Sequence, residues 1–571
     1  MGKPRREKTR PVGSRTRAAI AAAAPVAPVH HEALPPQRWW RPETYATVLL
    51  LAVVLAYLPT FNAGFVRWDD QYYVEESDLL PDPEGLRKIW NPLGHDTQQF
   101  YPLVFSSYWL EYRLWGLDAR SYHVVNVGLH AINALLVLSF ALELGVSALV
   151  AATTATLFAL HPAQVASVAW ISELKNTLSG LFYLLAVFAY LRHRRTGAWS
   201  TYGLCLLAFV GALLSKTQTL TLPASLLLVD WTLQRLGRIP RTAAVRVVAR
   251  MVPMVALGGL AGIITMRFEQ TPWTRSFTLT ERLLVSTNAA VFYARTFFAP
   301  FRLSPIYPEW HVAVADWRWW VAPAICALAV GVLVSVRRRV PDLVSWGIAH
   351  FYVALIPVLG VFSFNFQTYT FVADHFLYLS IIGAGLAVAT VIERGINGWR
   401  PQSLQPLMAT VALVLLTGCG TLTYLECTHW RSNLTFWTRV RERDPDGFLA
   451  NFNLGNHYRN VRQWSQAVPF FRRAAEIRAK VDYPFVRYAE ALGQASGPAA
   501  VIEMCTQRLA RDPNFYPAAL ERASRHEQLG QLHEALQDYE RTLQTAPRDS
   551  AQWGEAQRRH TQLANQQAPS G

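Results

Sequence analysis

Long uncharged runs set the pattern of the first three quarters of the chain. The windows 47–60, 204–214 and 411–425 contain no charged residue at all. A helix needs about 20 consecutive apolar residues to cross a bilayer. Runs that meet or approach that length lie at 43–60, 122–142, 146–161, 165–192, 200–214, 217–233, 246–266, 317–335, 342–361, 376–393 and 405–425. The pattern predicts an all-α fold: a polytopic bundle of about eleven spans over 43–428, with a large outer loop at 61–121. The run 165–192 begins with polar residues, so its first turns are expected outside the bilayer. A further stretch, 283–301, is interrupted by Arg295 and several aromatics and is expected to lie in the interface or to re-enter.

Past residue 448 the pattern becomes amphipathic and repeats. Leu454, Gly455, Tyr458, Ala467, Phe471 and Ala474 match the small and aromatic positions of the tetratricopeptide pattern, whose period is about 34 residues. Pro513 and Pro547 are one such period apart, and Ala535 and Tyr539 fall on its later positions. Small residues let paired helices approach, and aromatics fill the seam between them. Three repeats are therefore predicted over 448–549, a helical solenoid that follows a linker at 429–447 and precedes a tail at 550–571. The segment 1–42 is rich in Arg, Ala and Pro and lacks periodicity, which predicts a disordered basic arm.

Composition sharpens this division. Hydrophobic residues make up 51% of the 571 residues and charged ones 16%, against roughly 25% charged in soluble domains. The formal charge of +15 does not point to nucleic acid, because Arg and Lys gather beside apolar runs: 3–41, 192–195, 235–250 and 337–339. That is the positive-inside pattern. It places the arm in the cytoplasm, and the loop 61–121, the stretch 362–375 and the repeats on the opposite face. The five cysteines form no CxxC pair, so neither a disulfide framework nor a zinc site is suggested.

On that outer face lie the residues with chemical potential. Asp69 and Asp70 follow the first span; low dielectric there raises a carboxylate's pKa and makes it a stronger base. A solvated turn would look the same. Two oxygen ligands are also too few to assert a cation site, although Mg or Mn at Asp69 and Asp70 is a further expectation. His123, Asn126, His130 and Asn133 share one face of the run 122–142. Such a face either lines a polar cavity or bonds neighbouring helices. His161, Glu173, Lys175, Lys216, Asp374 and His375 lie near the outer ends of later runs. Cations there suit a lipid-linked phosphate, and snorkelling lysines would read identically. No Walker loop, GxSxG or HExxH motif occurs, so any synthesis on the outer face must draw its energy from the substrate.

Taken together, several motifs resemble one family: the transmembrane and tetratricopeptide-repeat-containing O-mannosyltransferases and their bacterial relatives, within glycosyltransferase superfamily C. They are the run 61–70, Tyr101-Pro102-Leu103, the segment 123–130, His161-Pro162 through Ser179, Leu213-Leu214-Ser215-Lys216, the segment 304–308 and the segment 373–379. The resemblance runs from about Leu50 to the chain end. It implies a glycosyltransferase C type bundle, a sugar donor linked to a polyprenyl phosphate, transfer on the non-cytoplasmic face, and a catalytic role for Asp69 and Asp70. Two positions depart from the family pattern: Asp374-His375-Phe376 stands where Asp-Arg-Tyr is expected, and Lys216-Thr217 where many relatives have Lys-Pro.

The expected activity is inverting transfer of a sugar, mannose by resemblance, to a hydroxyl of a protein or glycan. Asp69 or Asp70 would be the base, and Lys216, Lys175, His161 and His375 the donor-phosphate ligands. His123, Asn126, His130, Glu173 and Asp374 would line the polar cavity. The repeats would present the acceptor through a concave surface that includes Asn453 and Tyr458. A bacterial inner membrane with periplasmic repeats is expected, with endoplasmic reticulum and luminal repeats as the alternative. The competing class is a non-catalytic membrane scaffold whose repeats recruit envelope-assembly partners; it would tolerate loss of the acids. A transporter should show matching broken spans in its two halves, and no inverted symmetry is visible.

Overall fold

A computed structural model describes residues 41–94, 97–269, 277–362, 365–398 and 405–567, together with Gly2. Among these residues every regular element is helical and no strand occurs. The basic arm expected at 1–42 lies outside the described residues, apart from Gly2, Arg41 and Pro42.

Helices follow the apolar runs in order. Ala119–Glu143, Ile171–Thr196, Ala244–Phe268 and Trp317–Val336 are each long and apolar enough to cross a bilayer. Ala148–Leu160 and Pro162–Val168, bent by 49°, make a fifth span if counted together. Pro42–Ala56, Trp199–Ser215 and Asp342–Val358 are apolar but shorter. By length and composition, then, four or five of the described helices reach the span criterion, where about eleven spans were expected. Tight turns explain part of the difference. The run 217–233 starts as the 3₁₀ turn Thr217–Thr221 before Leu222–Arg235. The run 165–192 is broken after Val165–Val168, and its long helix begins only at Leu174. Leu279–Phe298 is one unbroken helix, started by a reciprocal capping box between Thr278 and Glu281. It has no re-entrant break.

Close packing holds these helices together. Where Asp342–Leu355 meets Ser380–Gly398, Gly347 and Gly383 face each other, and a Cβ on either would strike the other's carbonyl oxygen. Small residues matter at such a crossing because lipid gives helices little hydrophobic reason to associate, leaving van der Waals contact to do so.

The segment 429–447, expected as a linker, is instead occupied by a docked helix, Asn433–Arg443. Ser432 and Thr435 cap it reciprocally. Phe436, Trp437 and Val440 are buried in the same apolar core as the spans, and that core extends to Ala450 and Leu454 of the first repeat. Three helix pairs follow as expected: Phe448–Asn460 with Trp464–Ile477, Asp482–Ser496 with Pro498–Arg511, and Tyr516–Gln528 with Leu532–Thr545. The segment 550–571 is more than a tail. Its helix Ala551–Gln567 packs Ala556 and Leu563 against Ala535 and Tyr539, covering an edge that an end repeat would otherwise expose.

Candidate active site

The first outer loop is folded by its own acids. After the 3₁₀ turn Leu58–Asn62 the chain runs extended to Val66 and then doubles back. Asp70 fixes this turn. One carboxylate oxygen accepts the Val66 amide at 2.9 Å, and the other accepts the Ser172 amide at 2.8 Å as well as the Ser172 hydroxyl. Asp70 is 1% exposed and therefore clasps the loop to the turn Ile171–Glu173. Asp69, its neighbour, points its carboxylate elsewhere and keeps 30% of its side chain accessible. The two acids expected to share one role are separated by geometry: Asp70 holds the loop, and Asp69 is open.

Asp69 ends a line of alternating charge. Its carboxylate lies 3.6 Å from Lys175 Nζ, which lies 3.2 Å from one oxygen of Glu173. The other Glu173 oxygen meets Lys216 Nζ at 3.0 Å. Lys216 also donates to Asn176 Oδ1 at 2.8 Å, and Asn176 Nδ2 donates to Glu173 at 2.7 Å and to the His375 carbonyl at 2.9 Å. Glu173 and Lys175 are brought together at the start of the helix Leu174–Thr196, and Lys216 by the end of Trp199–Ser215. Lys175 sits over the Tyr73 ring at 5.0 Å and Lys216 over the Phe376 ring at 5.5 Å. The line is electrically balanced, two carboxylates against two ammonium groups, with only Asp69 meeting solvent. Buried charges persist when paired and hydrogen-bonded in this way.

Electrostatics separate the acids again. Burial raises the Asp69 carboxyl, while Lys175 opposes it. Burial likewise pushes Asp70 up to about 7, against the hydrogen bonds from Ser172 and Val66. Asp374, beside the site, is pushed up to about 8 by burial; Tyr307 donates its hydroxyl to it at 2.8 Å.

Other expected ligands serve the fold. The His161 ring stacks on Phe297; its Nε2 meets the Phe297 carbonyl at 2.9 Å and its Nδ1 accepts the Ala163 amide at 3.2 Å. Both nitrogens are thereby taken, so the donor-phosphate role expected for His161 does not fit. His375 lies among Trp170, Phe366 and Phe376, and burial holds its imidazole down at about 3. What His375 gives the charged line is its backbone carbonyl, which accepts from Asn176. The face of Ala119–Glu143 is a brace more than a cavity wall. Asn126 donates to the Trp170 and Ile171 carbonyls, His130 bridges the Tyr378 hydroxyl and the Ala159 carbonyl, and Asn133 donates to the Thr177 carbonyl. His123 is buried beside them. In the first repeat, the Asn453 amide donates to the Leu449 carbonyl of its own helix, and Tyr458 stacks on Phe470.

A cation at the two aspartates also fits poorly. Both Asp70 oxygens accept protein hydrogen bonds, Asp69 faces an ammonium group, and no cluster of three or more His, Cys, Asp or Glu occurs among the described residues. Sequence reasoning passed over Tyr73 and Phe376 as residues of the site. Apolar aromatics in a loop and at a span end carry no signal until the lysines are seen above them.

No protein-family model matches the chain. Among curated proteins it is similar to protein O-mannosyl-transferase Tmtc1 of Drosophila melanogaster, with 33% identity over 182 residues, 30% of this chain and 21% of that protein. It is also similar to protein O-mannosyl-transferase F38B6.6 of Caenorhabditis elegans, with 21% identity over 72% of this chain and 59% of that protein. The chain spans about a fifth of the length of the first relatives it matches. Among solved structures, ArnT from Cupriavidus metallidurans bound to undecaprenyl phosphate aligns over 82% of this chain and 81% of its own, at 14% identity and a TM-score of 0.35, a likeness too slight to carry an argument. By sequence, the chain is similar to protein O-mannosyl-transferases over part of their length.

Proposed function

We propose that the chain is a membrane glycosyltransferase that moves a sugar, mannose by the names of its relatives, from a polyprenyl-phosphate donor to a hydroxyl acceptor on the non-cytoplasmic face. The observation that carries this reading is the open carboxylate of Asp69 at the end of a buried line of Lys175, Glu173 and Lys216. An acid poised beside two lysines suits a reaction in which a proton is taken and a phosphate leaves.

In this reading Asp69 takes the acceptor's hydroxyl proton while that oxygen attacks the sugar C1. The bond from C1 to the phosphate oxygen breaks with inversion. The departing lipid phosphate gains one negative charge, and protonation of Asp69 removes one from the cluster, so the cluster holding Lys175 and Lys216 becomes net positive just as it is needed. Fixed charges in a water-poor site stabilise developing charge strongly because they need no reorganisation. Asp70, held by Val66 and Ser172, keeps the loop in register. Attack by a held hydroxyl also gains from proximity, which the repeats supply if they hold a protein acceptor.

The test uses purified protein in lipid nanodiscs with labelled polyprenyl-phosphate mannose and membrane extract as acceptor source. Label should move to protein or glycan hydroxyls, with the anomeric configuration opposite to that of the donor. Retention of configuration removes the single displacement. Absence of label with mannose, glucose and arabinose donors removes the transferase.

A further inference from the structure

The helix Asn433–Arg443 and the turn before it touch the catalytic loop at three points. The Gly64 amide donates to the Arg431 carbonyl at 3.0 Å, and the Arg67 amide donates to Asn433 Oδ1 at 2.6 Å. Trp68, the residue before Asp69, meets Trp437 edge to face at 5.6 Å and Tyr369 at 5.0 Å. From Trp437 the aromatic contacts continue through Phe436 at 4.9 Å, Trp430 at 5.1 Å and Trp170 at 5.7 Å to His375 at 5.8 Å. This ladder starts beside Asp69 and ends at His375, whose carbonyl holds Asn176. Trp430, Phe436 and Trp437 are all buried. At its far end the same helix meets the segment that follows Leu279–Phe298, where the Arg443 guanidinium donates to the Leu303 and Phe301 carbonyls. Four residues separate the helix from the first repeat, whose Ala450 and Leu454 pack into the same core.

We propose that Asn433 and Trp437 are positioning residues for Asp69, acting through Arg67 and Trp68, so that the helix leading into the repeats is part of the active site. The proposal rests on the base assignment of Asp69 for its kinetic consequence, and on geometry alone for its structural one. Thr435 caps the helix with Ser432, and the Asn433 side chain is spent on the Arg67 amide. Asn suits the position because its short side chain presents a carbonyl oxygen. Asp presents the same acceptor in the same volume, and Ala presents none. Positioning matters because a misplacement of about 1 Å can cost on the order of a hundredfold in rate.

The experiment compares wild type, Asn433→Ala, Asn433→Asp, Trp437→Leu and Asp69→Asn in nanodiscs by two readouts. One is hydrogen exchange at the amides of residues 64–70. The other is kcat and KM for labelled polyprenyl-phosphate mannose. Asn433→Ala and Trp437→Leu should speed exchange in that loop and lower kcat by about tenfold to a hundredfold, with KM for the lipid donor nearly unchanged. Asn433→Asp should restore both. Unchanged exchange in Asn433→Ala overturns the proposal, as does a wild-type kcat in Asn433→Ala when Asp69→Asn is inactive. Should wild type itself transfer no sugar, the transferase reading falls while faster exchange in Asn433→Ala, rescued by Asn433→Asp, still upholds the positioning.

Discussion

At the residue scale, Asp70 shows burial and hydrogen bonding pulling in opposite directions. Its carboxyl stands at about 7 against an ordinary value of 3.8, so the folded state holds a proton that the unfolded chain has released between those values. Stability contributed by this group is present below about 4 and is lost as pH rises to about 7. The melting temperature of the wild type in nanodiscs should fall across that window, and Asp70→Asn should make the slope shallower, leaving the larger part due to Asp374, Glu111 and Glu426. A slope identical in the variant contradicts the assignment. Lys216 makes the opposite case, a buried cation paired with the Glu173 carboxylate. Lys216→Met leaves Glu173 with only Lys175 opposite it, and breaking a buried pair costs about 3–5 kcal/mol. Chemical denaturation should show a loss of that order, and transfer should fall with it. The sequence placed Asp69, Glu173, Lys175 and Lys216 on one face, because charged residues at span ends stand out against apolar neighbours. It could not separate Asp69 from Asp70. That distinction rests on the Val66 and Ser172 donors, and Ser172 is about a hundred positions away.

Elements were legible wherever one force acted alone. Apolar runs became helices, and the small and aromatic positions of the repeats became their seams, as with Gly455 against Phe471. A Cβ at Gly455 would lie 2.7 Å from two atoms of that ring. Gly455→Ala should therefore destabilise the first repeat by about 1–3 kcal/mol through overpacking, read as increased proteolysis within 448–477 while the later repeats stay protected. Equal protection throughout would show that the seam can yield. Gly383→Val should be worse, because the obstacle is backbone, the carbonyl of Gly347. The helices Asn433–Arg443 and Ala551–Gln567 were missed in sequence for a common reason. Each buries its apolar residues against a surface its own segment does not supply, the spans for the first and the preceding helix pair for the second, so its pattern means little before that surface exists. One histidine misled for a related reason. His161 looks like a ligand in a list of polar residues, but backbone partners claim both of its nitrogens.

On the scale of the whole molecule, the helix Asn433–Arg443 joins the loop of Asp69 to the first repeat, so the repeats and the open carboxylate share one side of the bundle. The basic clusters at 192–195 and 235–250 mark the other side by charge. Among them Arg194 is buried against Asp230, which Tyr190 also reaches at 2.6 Å. Single cysteines introduced at Asp78 and at Gln531, both exposed, should react with an impermeant maleimide from the same face of sealed vesicles. A cysteine at Trp199 should react only from the opposite face, and labelling of all three from one side would undo this orientation. The central claim, that Asp69 is the open base of a phosphate-releasing site, is tested most directly by the transfer rates of Asp69→Asn and Asp70→Asn measured side by side in nanodiscs. The account predicts that Asp69→Asn folds and inserts normally yet loses roughly 10²–10⁴-fold in kcat, whereas Asp70→Asn loses much less and shows the altered pH dependence of stability. An Asp69→Asn variant that transfers sugar within a few-fold of wild type would contradict it.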